Sequence, residues 1–369
     1  MASNADMPAE AHPPGVSNGD AQASGAPKPR VLTSEEAAVY DRQIRLWGLE
    51  AQQRLSAARL LLVGTLPSHL GAELAKNLVL AGIARLTLCP FPSSAASTPS
   101  FLGATPDAFV AALSEMNPHV AVEVLPPSPT TPALADYAAV CALELGARYE
   151  AVLADASRAA GVPFFSGRTA GLYGGLFVDA GDWTCAGDRA TAAGAQAAAE
   201  GGSAAAPAAP PTTISTSFPA HAVAREVKAA EAVVGWGVMA TLGELADAVA
   251  GGDAHGKTGG DSRAAVWPAK DAPAVGTPEG TRPTPPSFSD VWARRGGQPG
   301  GGGRGRRDEA GLVEAVGRTA GVSLPAVAAC LGGVWGREVI KVASGVGVPL
   351  RNFFWFDGRT GAGVVEVIG

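Results

Sequence analysis

Short apolar runs along this chain alternate with segments in which apolar residues recur every four positions. The run Leu60–Val63 is apolar throughout, which is typical of a parallel strand covered by helices on both faces. In the segment that follows, Leu70, Leu74 and Leu78 have the spacing of one helix face. A second strand is predicted at Arg85–Cys89. Strand, helix and strand within about 30 residues form a βαβ unit, whose crossover is expected to be right-handed.

The later apolar segments predict further members of the same sheet. A third, fourth and fifth strand are expected at 120–124, 138–143 and 162–166, and an antiparallel continuation at 172–179. Near the end of the sequence, a helix over Leu324–Ser344 precedes two strands, RNFFWFDG and VVEVI, that pair across a turn. The chain thus returns to complete the sheet that its first half began, which favours one α/β domain over two.

The first ordered element is expected to be a helix from Ser34 to Gly48, with acidic residues in its first turn. A second helical run, Leu49–Ala57, leads into the first strand. The apolar stripe of the first helix consists of Tyr40, Ile44, Leu46 and Trp47.

Segments of low complexity separate these compact stretches. Residues 1–30 are rich in Ala, Pro, Gly and Ser, which predicts a disordered arm. An Ala/Gly-rich insertion is expected at 187–216, and a disordered Gly/Arg/Pro-rich one at about 251–307. The two ordered parts of the domain are therefore expected at 31–186 and 217–369.

The second insertion ends in a basic tract that contains Arg294, Arg295, Arg304, Arg306 and Arg307. Such a tract can act as a nuclear-import signal or contact nucleic acid. A solvated loop whose charge keeps it out of the core is the favoured interpretation.

Composition and charge limit the classes of function. The net charge of −6 gives no reason to expect nucleic acid as the main partner. No run of about 18 apolar residues is present, so no membrane span is expected. The start of the sequence lacks the features of a secretory signal. The four cysteines include no CxxC pair, which argues against a zinc site or a disulfide framework and fits a reducing, intracellular compartment.

Cysteine and histidine side chains offer little catalytic chemistry. Cys89, Cys141 and Cys330 lie in predicted strands and a predicted helix, and all three are expected to be buried. Cys185, in the polar stretch DWTCAGD, is the candidate reactive thiol. A catalytic role is not favoured, because no basic neighbour precedes Arg189 to lower its pKa. The histidines are scattered without the spacing of metal ligands, so no metal site is expected.

The segment GTLPSHLG, between the first strand and its helix, departs from a phosphate-binding loop. Such a loop needs closely spaced glycines, so that backbone amides at a helix N-terminus can meet phosphate oxygens. Here no glycine lies between Gly64 and Gly71, and Pro67 removes an amide donor. The second strand ends in Cys89–Pro90 instead of an acidic residue for ribose hydroxyls. The sequence therefore argues against a competent nucleotide site.

Two arginines on the first helix are the candidate functional residues. Arg42 and Arg45 lie three positions apart, on neighbouring faces. Either can pair locally with Asp41 or Glu50, and this is the favoured interpretation for Arg45. Alternatively, an arginine on an N-terminal helix can reach across a dimer interface and stabilise charge on a triphosphate.

A set of segments carries a family resemblance. They are EEAAVYDRQIRLWGLEAQQRL, LGAELAKNLVLAGI, MNPHVAVEV, FFSG, AVAACLGGVWGREVIK, RNFFWFDG and GVVEVIG. These segments resemble the small, regulatory subunits of SUMO-activating enzymes, in the ubiquitin-activating enzyme family. The motif YDRQIRLWG is typical of eukaryotic activating enzymes, and the ending NFFWFDG with GVVEVIG is typical of the SUMO branch.

The resemblance implies a Rossmann-like mixed α/β sheet of the ThiF/MoeB-type adenylation fold, in its pseudo-active form. It implies the non-catalytic half of a heterodimer, which binds no cofactor itself. The large catalytic subunit would hold ATP, magnesium and the thioester-forming cysteine, and this chain would serve SUMO indirectly. The arginine lent to the partner-bound ATP matches Arg42, in YDR. The expected location is the nucleus, with the cytoplasm as a second location.

Two segments depart from the family pattern. The loop Thr65–Leu70 is longer than the family's turn, and Pro90–Thr105 is shorter and richer in Pro and Ser. The alternatives are a stand-alone α/β nucleotide-binding enzyme (an adenylating enzyme or an oxidoreductase) and a regulatory subunit for another ubiquitin-like modifier. A scaffold that places no arginine in the partner's site is a further alternative.

Overall fold

The computed structural model describes residues 27–91, 100–125, 133–186, 213–221, 238–239, 241–244, 247, 315–316, 318–319 and 321–368. The predicted arm up to residue 26, most of the Ala/Gly-rich insertion, and the second insertion with its arginine tract lie outside the described residues. Within the described ranges, no helix is both long and apolar enough to cross a bilayer.

The fold consists of helices and strands distributed along the whole described part of the chain. The helices with complete bounds are α1 (Ser34–Val39), α2 (Asp41–Trp47), α3 (Leu49–Leu55), α4 (His69–Ala81), α5 (Pro106–Met116), α6 (Ala147–Ala159) and α7 (Pro325–Ser344). The strands are β1 (Arg59–Gly64), β2 (Arg85–Pro90), β3 (Ala121–Val124), β4 (Ala139–Leu143), β5 (Phe164–Ala170), β6 (Tyr173–Asp179), β7 (Asp182–Ala186), β8 (Thr213–Ser217), β9 (Phe353–Asp357) and β10 (Ala362–Glu366).

One mixed sheet organises the fold, with strand order β10-β9-β6-β5-β4-β1-β2-β3. The strands β3, β2, β1, β4 and β5 are parallel, whereas β6, β9 and β10 are joined by antiparallel pairing. The central strand β1 is buried from Leu60 onward, because apolar side chains cover both of its faces. The predicted Rossmann-like α/β sheet, and its completion by the end of the chain, are confirmed.

The helices α4 and α7 pack tightly against each other on one face of the sheet. A β-carbon added at Gly332 would lie 2.7 Å from Cβ of Glu73, so glycine permits this approach of the two helices. The amide Nδ2 of Asn77 donates a hydrogen bond to the carbonyl oxygen of Gly332 at 3.2 Å. The neighbouring Gly333 differs, because a β-carbon added there would face open space.

The sequence predicted one continuous helix from Ser34 to Gly48, and this prediction is wrong. The helix is broken at Tyr40, which has φ −95° and ψ 12° and separates α1 from α2. Tyr40 is buried, but Leu46 of the predicted apolar stripe is 75% exposed. The break allows the Tyr40 ring to leave the helix surface and enter the core beside Gly82.

Two cysteine predictions and one boundary are corrected by the structure. Cys185 is buried in β7, which packs it into the core together with Trp183, so it is not an exposed thiol. Cys330, predicted to be buried, is exposed on the outer side of α7. The Ala/Gly-rich insertion ends earlier than expected, because Thr213–Ser217 forms β8 and pairs with β7. Cys89 and Cys141 are buried, as predicted.

Candidate functional site

The carboxyl ends of β1 and β4 meet at the point where the strand order reverses. In open α/β sheets of this kind, nucleotides bind in the crevice at this switch point. The carbonyl oxygen of Leu143 accepts a hydrogen bond from the backbone amide of Thr65 at 3.0 Å. The carbonyl oxygen of Gly64 accepts one from Phe91, at the end of β2, at 2.8 Å. Backbone bonds therefore join the three strand ends across the crevice.

The loop between β1 and α4 fills the space beside these bonds. Leu66 is buried, and a β-carbon at Gly71 would lie 2.5 Å from its Cδ2. Ser68 caps α4, since its side-chain oxygen accepts a hydrogen bond from the amide of Gly71 at 3.0 Å. The turn is thus occupied by a buried leucine and by an internal cap that already uses the amide of Gly71.

The end of β2 also lacks a group suited to ribose. Cys89 is buried there, and burial raises the pKa of its thiol to about 12.

The two candidate arginines differ in their surroundings. Arg45 is paired with Asp41, with 2.9 Å between Nη2 and Oδ2, as the favoured interpretation of the sequence predicted. Both side chains of that pair are exposed, so the pair contributes little stability. Arg42 is exposed, and its side chain makes no hydrogen bond or ion pair with the residues that the structure describes. Arg42 therefore presents a guanidinium group available to another molecule.

Exposed apolar side chains occur on α1, α2 and α3, around Arg42 in the sequence, and near the end of α4. Leu46 lies four positions further along α2, on the same helix face as Arg42. Val39, Leu49 and Leu80 are also exposed, by 58%, 50% and 46%. Large exposed apolar side chains next to an exposed arginine without an ion-pair partner are typical of a protein–protein interface.

A cluster of buried polar side chains on α6 and β5 was not predicted from the sequence. Glu150 of α6 accepts hydrogen bonds from Arg168 at 2.8 Å and from Ser166 at 2.7 Å, and its Oε1 lies 3.0 Å from Nε2 of His221. Burial alone would raise the pKa of Glu150, but the bonds to His221 and Arg168 prevail and lower it to about 2. The bonds to Glu150 therefore join α6 to β5 and to His221, which follows β8 in the chain.

Glu144 lies next to this cluster, at the end of β4. It is the one non-glycine residue with positive φ, 54°, in the described part of the chain. Its carboxylate accepts a hydrogen bond from Thr169 at 2.9 Å, and burial raises its pKa. No group of three His, Cys, Asp or Glu residues suited to a metal ion occurs among the described residues.

Comparison with known proteins gives the family. No protein-family model matches the chain. SUMO-activating enzyme subunit 1 from Rattus norvegicus is 30% identical over 365 residues, which cover 92% of this chain and 96% of the rat protein. The human and Xenopus laevis proteins of the same name are each 67% identical, over 57 and 58 residues, which are 15% and 16% of this chain and 16% of each relative.

Among solved structures, the chain is similar to one described as "Crystal Structure of SeMet PaaA". That similarity has a TM-score of 0.33 and 20% identity, and covers 40% of this chain and 51% of the other. The rat protein, by contrast, is aligned over nearly its whole length. This chain therefore belongs to the SUMO-activating enzyme subunit 1 family.

Proposed function

We propose that this chain is the regulatory subunit of a heterodimeric SUMO-activating enzyme. Its larger, catalytic partner carries out ATP-dependent adenylation of SUMO and forms the thioester. Membership of the family named for SUMO activation supports the process. The observation that carries the subunit's role is the combination of an unpaired, exposed Arg42 with a crevice that the chain itself has filled.

Arg42 acts in trans on the ATP held by the partner. A guanidinium group fixed on a helix can stabilise the negative charge that develops on phosphate oxygens during transfer. The exposed apolar residues Leu46, Leu49 and Leu80 provide surface that the partner would bury around it. Arg45 has the weaker claim, because Asp41 already neutralises its charge.

The chain itself binds no nucleotide in this proposal, and ATP and magnesium belong to the partner. Leu66 and the Ser68 cap support this, because they replace the open amides of a phosphate site. SUMO is served indirectly, through the catalytic subunit. The complex would work in the nucleus, with the cytoplasm as a second location, and the arginine tract ending at Arg307 would be a candidate import signal.

ATP–pyrophosphate exchange in the presence of SUMO tests the proposal. The chain alone should show no exchange, and the chain with its catalytic partner should be active. Arg42→Ala in the pair should lower kcat by about 1,000-fold, the lower end of the range for arginines supplied to phosphoryl groups. Arg45→Ala is the matched control on the same helix and should change kcat by less than about 3-fold.

Four results would contradict the proposal. Exchange by the chain alone, or micromolar binding of ATP or NAD in calorimetry, would favour a stand-alone nucleotide-binding enzyme. Full activity of the heterodimer that carries Arg42→Ala would favour the alternative in which this chain is a scaffold and its arginine has no role in the partner's site. Exchange with a different ubiquitin-like modifier but not with SUMO would assign the subunit to another branch.

A further inference from the structure

The last turn of α4 is capped by side-chain amides from three other elements. The final carbonyl groups of a helix have no partner within the helix, so they must find donors elsewhere. Here the bonds run from Asn117 Nδ2 to the oxygen of Val79 at 2.8 Å, from Gln43 Nε2 to that of Leu80 at 3.0 Å, and from Gln52 Nε2 to that of Ala81 at 3.0 Å. We call Gln43, Gln52 and Asn117 the α4 amide cluster.

The same amides also hold the two ends of α2. Asn117 Nδ2 donates to the hydroxyl oxygen of Tyr40 at 2.9 Å, at the residue just before α2. The indole Nε1 of Trp47, the last residue of α2, donates to Oε1 of Gln52 at 2.9 Å. Gln43 belongs to α2 itself and bonds directly to α4. The helix α2 is therefore fixed to the end of α4 at its start, in its first turn and at its end.

Burial makes these contacts specific. Gln52 and Asn117 are 0% and 5% exposed. A side-chain amide without a hydrogen-bond partner at either position would therefore destabilise the folded state. Tyr40 is also buried, and a β-carbon at Gly82 would lie 2.4 Å from its ring, which shows how closely the ring approaches the α4 cap. Van der Waals contact and hydrogen bonds thus fix the direction of α2 together.

Arg42 depends on this arrangement for its orientation. A helix of seven residues has too few hydrogen bonds to be stable by itself in water, so α2 takes its direction from tertiary contacts. In the sequence, Arg42 lies between Tyr40 and Gln43, and both of these residues contact the C-terminal end of α4. A small misplacement of a catalytic cation is enough to reduce its effect on the transition state strongly.

We propose that the α4 amide cluster consists of positioning residues for Arg42, which orient its guanidinium group toward the partner's ATP. This inference rests on the proposed function of Arg42. It assigns a role in SUMO activation to Gln43, Gln52 and Asn117, which contact neither ATP nor the partner's reacting groups in the proposal. Their effect is transmitted through α2.

Gln43→Met is the sharpest test, because it removes the donor at similar volume from a side chain at the surface. In the purified heterodimer, ATP–pyrophosphate exchange should show kcat lowered roughly 5-fold, with KM for ATP changed less than 2-fold. In the Arg42→Ala background the same change should have no further effect on kcat. Gln53→Met, one residue beyond Gln52 on α3, is the matched control and should leave both constants unchanged.

Asn117→Asp tests a second residue of the α4 amide cluster. It replaces the group that donates to Tyr40 and Val79 by an acceptor. If that variant fails to assemble, Gln43→Met still decides the inference. Unchanged kcat in Gln43→Met, or an equal loss in the Arg42→Ala background, would overturn the positioning role while leaving the role of Arg42 intact. Unchanged kcat in Arg42→Ala alone would overturn the proposed function and this inference together.

Discussion

The α-carbon of Gly64 faces the carbonyl oxygen of Leu143 so closely that an added β-carbon would lie 2.0 Å from that oxygen. The contact joins the ends of two neighbouring parallel strands at the centre of the sheet. A glycine at this position therefore serves the packing of β1 against β4.

Gly64→Ala should lower the free energy of unfolding by about 3 kcal/mol, since it combines this clash with a backbone φ of 141°. Gly161→Ala separates the two causes, because Gly161 has φ 68° with no atom near its added β-carbon. It should cost only about 1 kcal/mol. Urea unfolding of the purified chain measures both, and equal losses would contradict the packing role.

The glycine pair of α7 gives a second matched comparison. Gly332→Ala should destabilise the chain by about 2 kcal/mol, because the new methyl group meets Glu73 of α4. Gly333→Ala faces open space and should stabilise it by up to about 1 kcal/mol through helix propensity. The measurement is the shift in urea midpoint for each variant. A loss of stability in Gly333→Ala would show that its surroundings differ from those described.

Acid should weaken the junction between the N-terminal segment and α1. The hydrogen bond from Arg30 lowers the pKa of Glu36 to about 2, below the value of about 4.3 for glutamate in unfolded chains. The unfolded state therefore binds more protons between these values, so the contribution of Glu36 is present above about pH 4.3 and is lost as the pH falls toward 2. Thermal midpoints should fall less steeply with acidification in Glu36→Gln, and parallel curves for both proteins would contradict this.

Glu144 should show the opposite dependence. Burial raises its pKa, so the folded state binds a proton before the unfolded state does, and the ionised carboxylate costs stability at neutral pH. Glu144→Gln keeps an oxygen that can accept the bond from Thr169. Its thermal midpoint should exceed that of the natural chain at pH 7, and the difference should shrink as the pH falls through the folded pKa. A lower midpoint at pH 7 would contradict the prediction.

Thiol labelling should distinguish Cys330 from the other cysteines. Cys89, Cys141 and Cys185 are at most 5% exposed, whereas Cys330 is exposed on α7. Native mass spectrometry after brief treatment of the isolated chain with N-ethylmaleimide should show one modification, and unfolding should expose all four thiols. Cys330→Ser should abolish the native modification. Native labelling at Cys185 would contradict its burial in β7.

The order of strands and helices around β1 could be predicted from the sequence because each signal is local. The apolar run at Leu60–Val63 and the spacing of Leu70, Leu74 and Leu78 are complete within a few turns of chain. The break at Tyr40 could not be predicted in this way. It depends on Asn117, 77 residues away, and on a close approach to Gly82.

The same distinction separates the parts of the site. The spacing of Gly64 and Gly71 and the presence of Pro67 are visible in the sequence, since all three lie within one loop. The exposures of Cys185 and Cys330 were predicted the wrong way round, because burial depends on which face a neighbouring element covers. The cluster around Glu150 joins residues from distant segments, and positive φ at Glu144 becomes visible only in the folded backbone.

The pairing of β6 with β9 has a consequence for how the chain is made on the ribosome. Asp179 and Phe353 are separated by roughly 170 residues, but lengthening a loop adds closure entropy only slowly. During synthesis, the apolar β6 stays an unpaired edge until residues 353–357 have left the exit tunnel. Such an edge invites pairing with other nascent chains. We therefore expect β6 to be an aggregation-prone edge of the nascent chain throughout that interval.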